Sequence, residues 1–514
     1  MTIGRRLFLS GAASGAGLLA LAACTPPRPT PTRSVTEAPV PTPSTTAVPT
    51  PAAFVRSDWG QDPYALGAVS YLAVGATPEH REDLAGNVLD RLFFAGEATD
   101  SDSPGTLQGA WNSGVRAAGE IASIAEEGER IAIIGAGLAG AVAARRLLDA
   151  GYDVALVEAR DRVGGRIATS TPDGWPIAVD SGAWALVGAG PALRESVLDA
   201  GITTSAVDLA TVRSSTDDGE QPDVGDTAAN ALTRALEWAA EQPTDLSLAD
   251  ALAGAGAPDP AAVEPGSGDG DAARLAAFLA GGPALRTGAA PAELSAWYGL
   301  GDASAAGTAE DVADASEEAS AVLTDGLAPL VETLLTDVEV SLRAAVSGIG
   351  YTETGASIRL GTGESFTADR VLVTVPIGVL QSEAIAFDPP LPFAHRTAIA
   401  SLGSGVVDTL WLRFDEPFWD TDAELPARWS LVGSAAGITE WLNLEPATGE
   451  PVLVGLVGAD QALSLQPLSD DELLVVAQSA LTPFAVATGR AAPAAGRAGP
   501  ATRPPARLRA AGPC

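Results

Sequence analysis

A short apolar run, Ile131 to Ile134, leads straight into Gly135-Ala136-Gly137-Leu138-Ala139-Gly140. No other feature constrains the fold as tightly as these three spaced glycines. Gly135 allows a sharp turn out of a strand, Gly137 lets the backbone approach a pyrophosphate, and Gly140 lets helix and strand pack closely. The helix start, with Leu138 and Ala139, offers free N–H groups and a positive dipole end. The pattern predicts a strand over 131–134, a helix over 138–150 and a second strand over 153–157. Glu158 closes that second strand, where a carboxylate accepts hydrogen bonds from a ribose hydroxyl and disfavours a 2′-phosphate. The expected fold class is α/β, built on a Rossmann-like dinucleotide-binding unit.

The chain has 514 residues, 46% of them hydrophobic, enough for two globular domains with tails. Its formal net charge is −35, from 65 acidic and 30 basic residues, and no basic stripe interleaves with aromatics. That argues against a nucleic-acid partner. With two histidines, His80 and His395, and two cysteines, Cys24 and Cys514, the sequence offers no metal constellation and predicts no disulfide.

Arg5-Arg6 precedes Leu7-Phe8-Leu9 and a Gly/Ala-rich apolar run that ends Leu21-Ala22-Ala23-Cys24. The run is too short and too small-residue-rich for a permanent span; it reads as a twin-arginine export signal with a lipobox. Cys24 is then the lipidation site, and the expected location is the extracytoplasmic side of the cell membrane, held by an N-terminal lipid anchor. Residues 24–54 read as a Pro/Thr-rich tether and 485–514 as a disordered tail. Arg490 to Cys514 carries no acidic residue, the reversal of charge that an out-of-frame or rearranged gene end would give.

After Glu158 comes Arg160-Asp161-Arg162-Val163-Gly164-Gly165-Arg166. This resembles the extended FAD fingerprint of the flavin-containing amine oxidase family, which groups monoamine, polyamine and histone-demethylating enzymes. The resemblance implies FAD, with Arg160, Gly164, Gly165 and Arg166 against its diphosphate. Val338-Glu339-Val340 and Val346 look like the family's middle FAD segment, with Val346 facing the adenine. Ala368 to Pro376 is similar to its strand leading into the crossover. Arg91 to Thr99, with Gly96 and Glu97, then Thr106, Gly109 and Ala110, resembles the segment that closes the flavin site. There the counterpart of Glu97 accepts bonds from the ribityl chain, and the helix from about Gly109 points its N-terminus at the flavin ring. In the family that segment ordinarily comes last; here it precedes the Gly-rich loop. A circular permutation, with the old ends joined near 126–130, is the expectation, and a misassembled gene is the alternative.

The resemblance adds a mixed α+β substrate domain, interleaved with the Rossmann-like one. The family frame divides the chain into an export signal at 1–23, the tether, and a substrate-domain segment at 55–88. An FAD-binding domain follows at 89–200, containing the closing segment 91–121 and the Gly-rich unit 131–166. A helical substrate-domain insertion at 201–322, an FAD segment at 323–382 and a substrate domain at 383–484 complete it. The resemblance implies oxidation of a small amine, polyamine or amino acid by hydride transfer to flavin N5. Two family features depart. Thr409 stands where a lysine usually assists reaction with oxygen, and Gly67-Ala68-Val69-Ser70 with Thr106 replace the aromatic sandwich. Ala68 also replaces a flavin-tethering cysteine, so FAD is expected to bind noncovalently. An oxygen-independent dehydrogenase or desaturase, or a silent flavin-binding protein, stays open beside the oxidase. Trp59, Tyr64, Trp297, Tyr298 and Trp411 are candidates for a substrate cavity, with core burial the alternative for each. The particular amine, the electron acceptor and the oligomeric state are open at this stage.

Overall fold

A computed structural model describes residues 48–486 except 223, 264–267, 301–319, 423–424 and 435–436. The segment read as an export signal with Cys24, the part of the expected 24–54 tether before 48 and the part of the expected tail from 487 lie outside the described residues; within 48–54, Val48 is buried and the strand Ala53–Arg56 begins.

The glycine-rich unit sits inside a five-stranded parallel sheet in the order Val340–Ser341, Asp153–Val157, Arg130–Ile134, Arg370–Val373, Leu92–Phe94. Its inner strands carry near-continuous apolar runs because both faces are covered, as parallel sheets require. Phe93, Ile131, Ile133 and Leu372 face the helices Leu107–Ile124 and Leu138–Asp149. Phe94, Ala132, Ile134 and Val371 face a four-stranded sheet that includes Val346–Thr352 and Gly355–Leu360. The two helices approach so closely that a Cβ on Gly114 would lie 2.5 Å from the Ala139 carbonyl oxygen.

In the family-like segment Val338-Glu339-Val340 the strand is Val340–Ser341, starting late because Asp337 takes a positive φ of 63° just before it. Another strand is Val407–Arg413. It lies between Ala53–Arg56 and Val452–Gly458 in a six-stranded sheet, paired on both sides. Within 201–322 the helices Gly225–Ala240, Leu248–Gly254 and Asp271–Leu279 pack on one another through Ala235, Leu252 and Leu275.

Helix Leu107–Ile124 passes into strand Arg130–Ile134 through only residues 125–129. Arg370 secures that joint: its Nε donates to Glu129 Oε2 at 2.6 Å and its Nη2 to the Ile124 carbonyl at 3.1 Å. At the other limit of the described body, Val48 shares a core with Leu481 and Phe484. Among the described residues no helix is long and apolar enough to cross a membrane.

Candidate active site

Strand Arg130–Ile134 delivers Gly135 at φ 109°, its N–H bonded to the Val157 carbonyl at 2.8 Å. Thr374 Oγ1 donates to the carbonyls of Ile134 and Gly135 at 2.9 and 3.0 Å, tying the loop to the neighbouring strand. Helix Leu138–Asp149 then starts at Gly137 with no side-chain cap. A Cβ at Gly137 would meet only Gly164 O at 3.9 Å and Gly165 Cα at 4.0 Å, so it would project into the space the loop leaves. That opening belongs to a cavity of about 440 Å³ lined by Gly135, Gly137, Leu138 and Ala139.

Glu158 lines the same cavity and is buried. Its Oε2 accepts from Ala136 N and its Oε1 from Arg160 N, both at 2.8 Å, which fixes the carboxylate at the strand end. Gly164 and Gly165, at φ 100° and 59°, lay the next loop against Gly137; Arg162 steadies it by donating to the carbonyls of Val163, Gly165 and Ile167. Arg160 is held away from the loop by Asp62, with bonds of 2.6 and 2.7 Å, and lies 5.4 Å over the Tyr64 ring. Arg166 Nη1 donates to the Ala68 carbonyl at 2.8 Å and to Glu97 Oε1 at 2.9 Å.

Glu97 closes the opposite wall. Its Oε2 accepts from Ser70 Oγ at 2.6 Å and from Gly105 N at 2.9 Å. Burial pushes this carboxyl upward, but the Arg166 and Arg81 guanidiniums outweigh burial and hold it below the usual range. Helix Leu107–Ile124 opens at the cavity, where Gly105, Thr106, Leu107 and Ala110 line it. Its start lies two residues before the predicted Gly109, because Thr106 is the cap: its Oγ1 accepts from Gly109 N at 3.0 Å.

Of the predicted cofactor residues, Gly96, Glu97, Thr106, Ala110, Gly135, Gly137, Leu138, Ala139, Glu158, Arg160, Gly164, Gly165, Arg166 and Val346 line this one cavity. Gly109 and Gly140 lie outside that lining. A Cβ on Gly109 would lie 2.2 Å from Ser103 O, and one on Gly140 2.0 Å from Gly135 O; both glycines serve close backbone packing.

Trp59, Tyr64, Thr409 and Val69 also line the cavity, whereas Trp297, Tyr298 and Trp411 do not. Trp297 donates to the Ala239 carbonyl inside the helical insertion, and Trp411 is buried in the six-stranded sheet. Sequence reasoning missed Ser181, Trp184 and Leu285 in the lining. The usable signal was Gly182, where a Cβ would lie 1.9 Å from the Arg166 carbonyl oxygen, so only glycine lets that segment cross the loop. Beside it burial pushes the Asp180 carboxyl up to about 6. Thr409 is buried, its N–H bonded to Ser57 Oγ at 2.8 Å and its hydroxyl 3.4 Å from the Ser181 carbonyl. Ser57 in turn donates to Asp408 Oδ1 at 2.7 Å, and burial raises that carboxyl.

The profile of the family described as flavin containing amine oxidoreductase matches residues 38–122 and 138–491. The chain belongs to that family. Polyamine oxidase 5 of Oryza sativa subsp. japonica is 29% identical, over 66% of this chain and 69% of the relative. Probable polyamine oxidase 4 of Arabidopsis thaliana is 28% identical, over 66% and 68%. The fold is similar to that of putrescine oxidase solved with putrescine bound, with a TM-score of 0.52 and 21% identity, covering 70% of this chain and 82% of that one. As an amine oxidase-like enzyme of this family, the protein takes FAD. The cavity fits it: an uncapped helix start, the gap a Gly137 Cβ would fill, and a fixed carboxylate at Glu158 suit a diphosphate and a ribose. Ala68, at the place of the family's flavin-tethering cysteine, lines the cavity, which agrees with noncovalent binding.

Proposed function

We propose that the protein oxidises the C–N bond of a small amine with one cationic centre on an apolar body. The observation that carries the substrate class is the state of the cavity's charges. Its two carboxylates, Glu97 and Glu158, are engaged by Arg166, Ser70 and backbone N–H groups, and Arg160 is paired with Asp62. No lining carboxylate among the described residues is left for a second ammonium, and no lining cation for an amino-acid carboxylate. What remains is an apolar wall of Trp59, Tyr64, Val69, Trp184, Leu285 and Val407.

Bound flavin supplies a two-electron acceptor at N5. The wall residues orient a neutral amine and exclude water while the adjacent carbon gives up a hydride equivalent, leaving an imine that water hydrolyses to a carbonyl compound and ammonia. The N-terminus of helix Leu107–Ile124 lies at this wall, where its dipole favours the negative charge of reduction. Anaerobic addition of benzylamine or hexylamine should bleach the flavin at least tenfold faster than putrescine or spermidine. Faster bleaching by the polyamines would overturn the substrate class, and no bleaching by any amine would overturn the amine reading and leave a silent flavin protein.

A second reading, transfer of electrons to an acceptor other than oxygen, rests on one observation. All 30 basic residues of the chain are arginine and none is lysine, so no element can supply a lysine at the place of Thr409. Peroxide release on aeration at a rate that sustains turnover would exclude it.

We also read the chain order as a circular permutation of the family's arrangement. The short joint at 125–129, held by Arg370, and the packing of Val48 against Phe484 support it, since permutation needs neighbouring ends. A gene encoding 131–486 followed by 48–130 should give the same flavoprotein; failure of that protein to bind FAD would count against the reading.

A further inference from the structure

Behind the Glu97 wall lies an arginine that the reaction itself does not call for. Arg81, on helix Glu79–Ala85, is 3% exposed. Its Nη1 donates to Ser70 Oγ at 2.7 Å and to the Ala98 carbonyl at 3.1 Å, and its buried Nε has no partner among the described residues. Removing a guanidinium from water costs several kcal/mol unless opposite charge offsets it. The carboxylates that act on it are Glu97 and the half-buried Asp100.

The direction of the bonds is decisive. Because Ser70 Oγ accepts from Arg81, its own hydrogen is directed to Glu97 Oε2, 2.6 Å away. Glu97 Oε1 takes Arg166, which comes from the Gly-rich unit, so one carboxylate joins the helix, the strand Val69–Leu72 and the flavin loop. We propose that Arg81 is a positioning residue for the flavin: through the Ser70 hydroxyl it fixes the orientation of Glu97 in the cavity wall, and its charge favours the reduced, anionic cofactor. This rests on the FAD reading above.

The test uses full-length holoprotein, its FAD dissociation constant, the flavin midpoint potential at one fixed pH, and the unfolding temperature of the flavin-free protein. Arg81→Met should weaken FAD binding roughly tenfold or more and make the potential more negative. Arg81→Lys should restore much of the potential, because it keeps the charge. Ser70→Ala should weaken FAD binding by a similar factor while leaving the potential near that of the parent, because both charges stay. A variant set that lowers only the unfolding temperature, with dissociation constant and potential unmoved, shows a structural role and overturns the proposal. If Arg81→Met does not fold, Ser70→Ala decides: unchanged FAD affinity there overturns it. A parent protein that takes up no FAD overturns the FAD reading and this inference together, an outcome distinct from failure of the variants alone.

Discussion

Glu158→Arg protein should purify almost colourless, with FAD bound at least a hundredfold more weakly than in the parent. The substitution removes both acceptors that hold Ala136 N and Arg160 N at 2.8 Å and puts a long cation into a buried place at the cavity wall. Leaving a buried backbone N–H without its acceptor costs about 1–3 kcal/mol, here at two groups, and each 1.4 kcal/mol is tenfold in binding. Glu158→Gln keeps one accepting oxygen and should lose about tenfold, so the pair separates the carboxylate from its shape. Flavin absorbance of the purified proteins measures both, and unchanged occupancy in Glu158→Arg would sink the ribose assignment.

The second large effect is mechanical. A Cβ at Gly140 would stand 2.0 Å from the Gly135 carbonyl oxygen and 3.2 Å from Thr374 Oγ1, and the first of these is backbone that cannot rotate aside. Gly140→Ala should therefore destabilise the fold by about 3 kcal/mol or more and open the loop that cradles the diphosphate. Gly119→Ala is the internal control, since nothing lies within 4 Å of its Cβ and alanine is the better helix former. Denaturant unfolding of the two proteins should show a loss in the first and no loss, or a gain of up to about 1 kcal/mol, in the second. Equal stabilities would show that the helix slides to accept the methyl group.

These two sites were legible in the sequence because their requirements are local. A strand, three spaced glycines, a helix and a carboxylate about twenty residues on are all written within one stretch, and each has a single physical reason. Thr106 is similar: the structure puts it in the cavity lining, and its role as helix cap is local too, a bond from Gly109 N only three residues on. The six-stranded sheet was not legible as a sheet. Ala53–Arg56 pairs with Val407–Arg413, and Val212–Ser215 runs parallel to Arg428–Leu431, partners that no periodicity within either strand names. The same holds for Arg81, since a lone arginine in an acidic helix reads as surface until Ser70 and Glu97 close over it. Among the aromatics, apolar character marked Trp411 and Trp59 equally. Only their places in the fold separate them: Trp411 lies inside the strand Val407–Arg413, whereas Trp59 lies in the turn after Ala53–Arg56 and lines the cavity.

The strand order has a consequence for how the chain is made. Leu92–Phe94 and Arg130–Ile134 are neighbours in sequence, yet in the sheet they do not touch; Arg370–Val373 lies between them. Thr374, which ties the loop, follows Ile134 by 240 residues. At about 5–20 residues per second the ribosome leaves that slot open for roughly 12–50 s. Throughout that interval two unpaired strand edges wait for the missing one, and the diphosphate cradle exists without its back wall. Closure of the sheet is thereby a late event in the life of the nascent chain, set by when Arg370–Val373 leaves the ribosome.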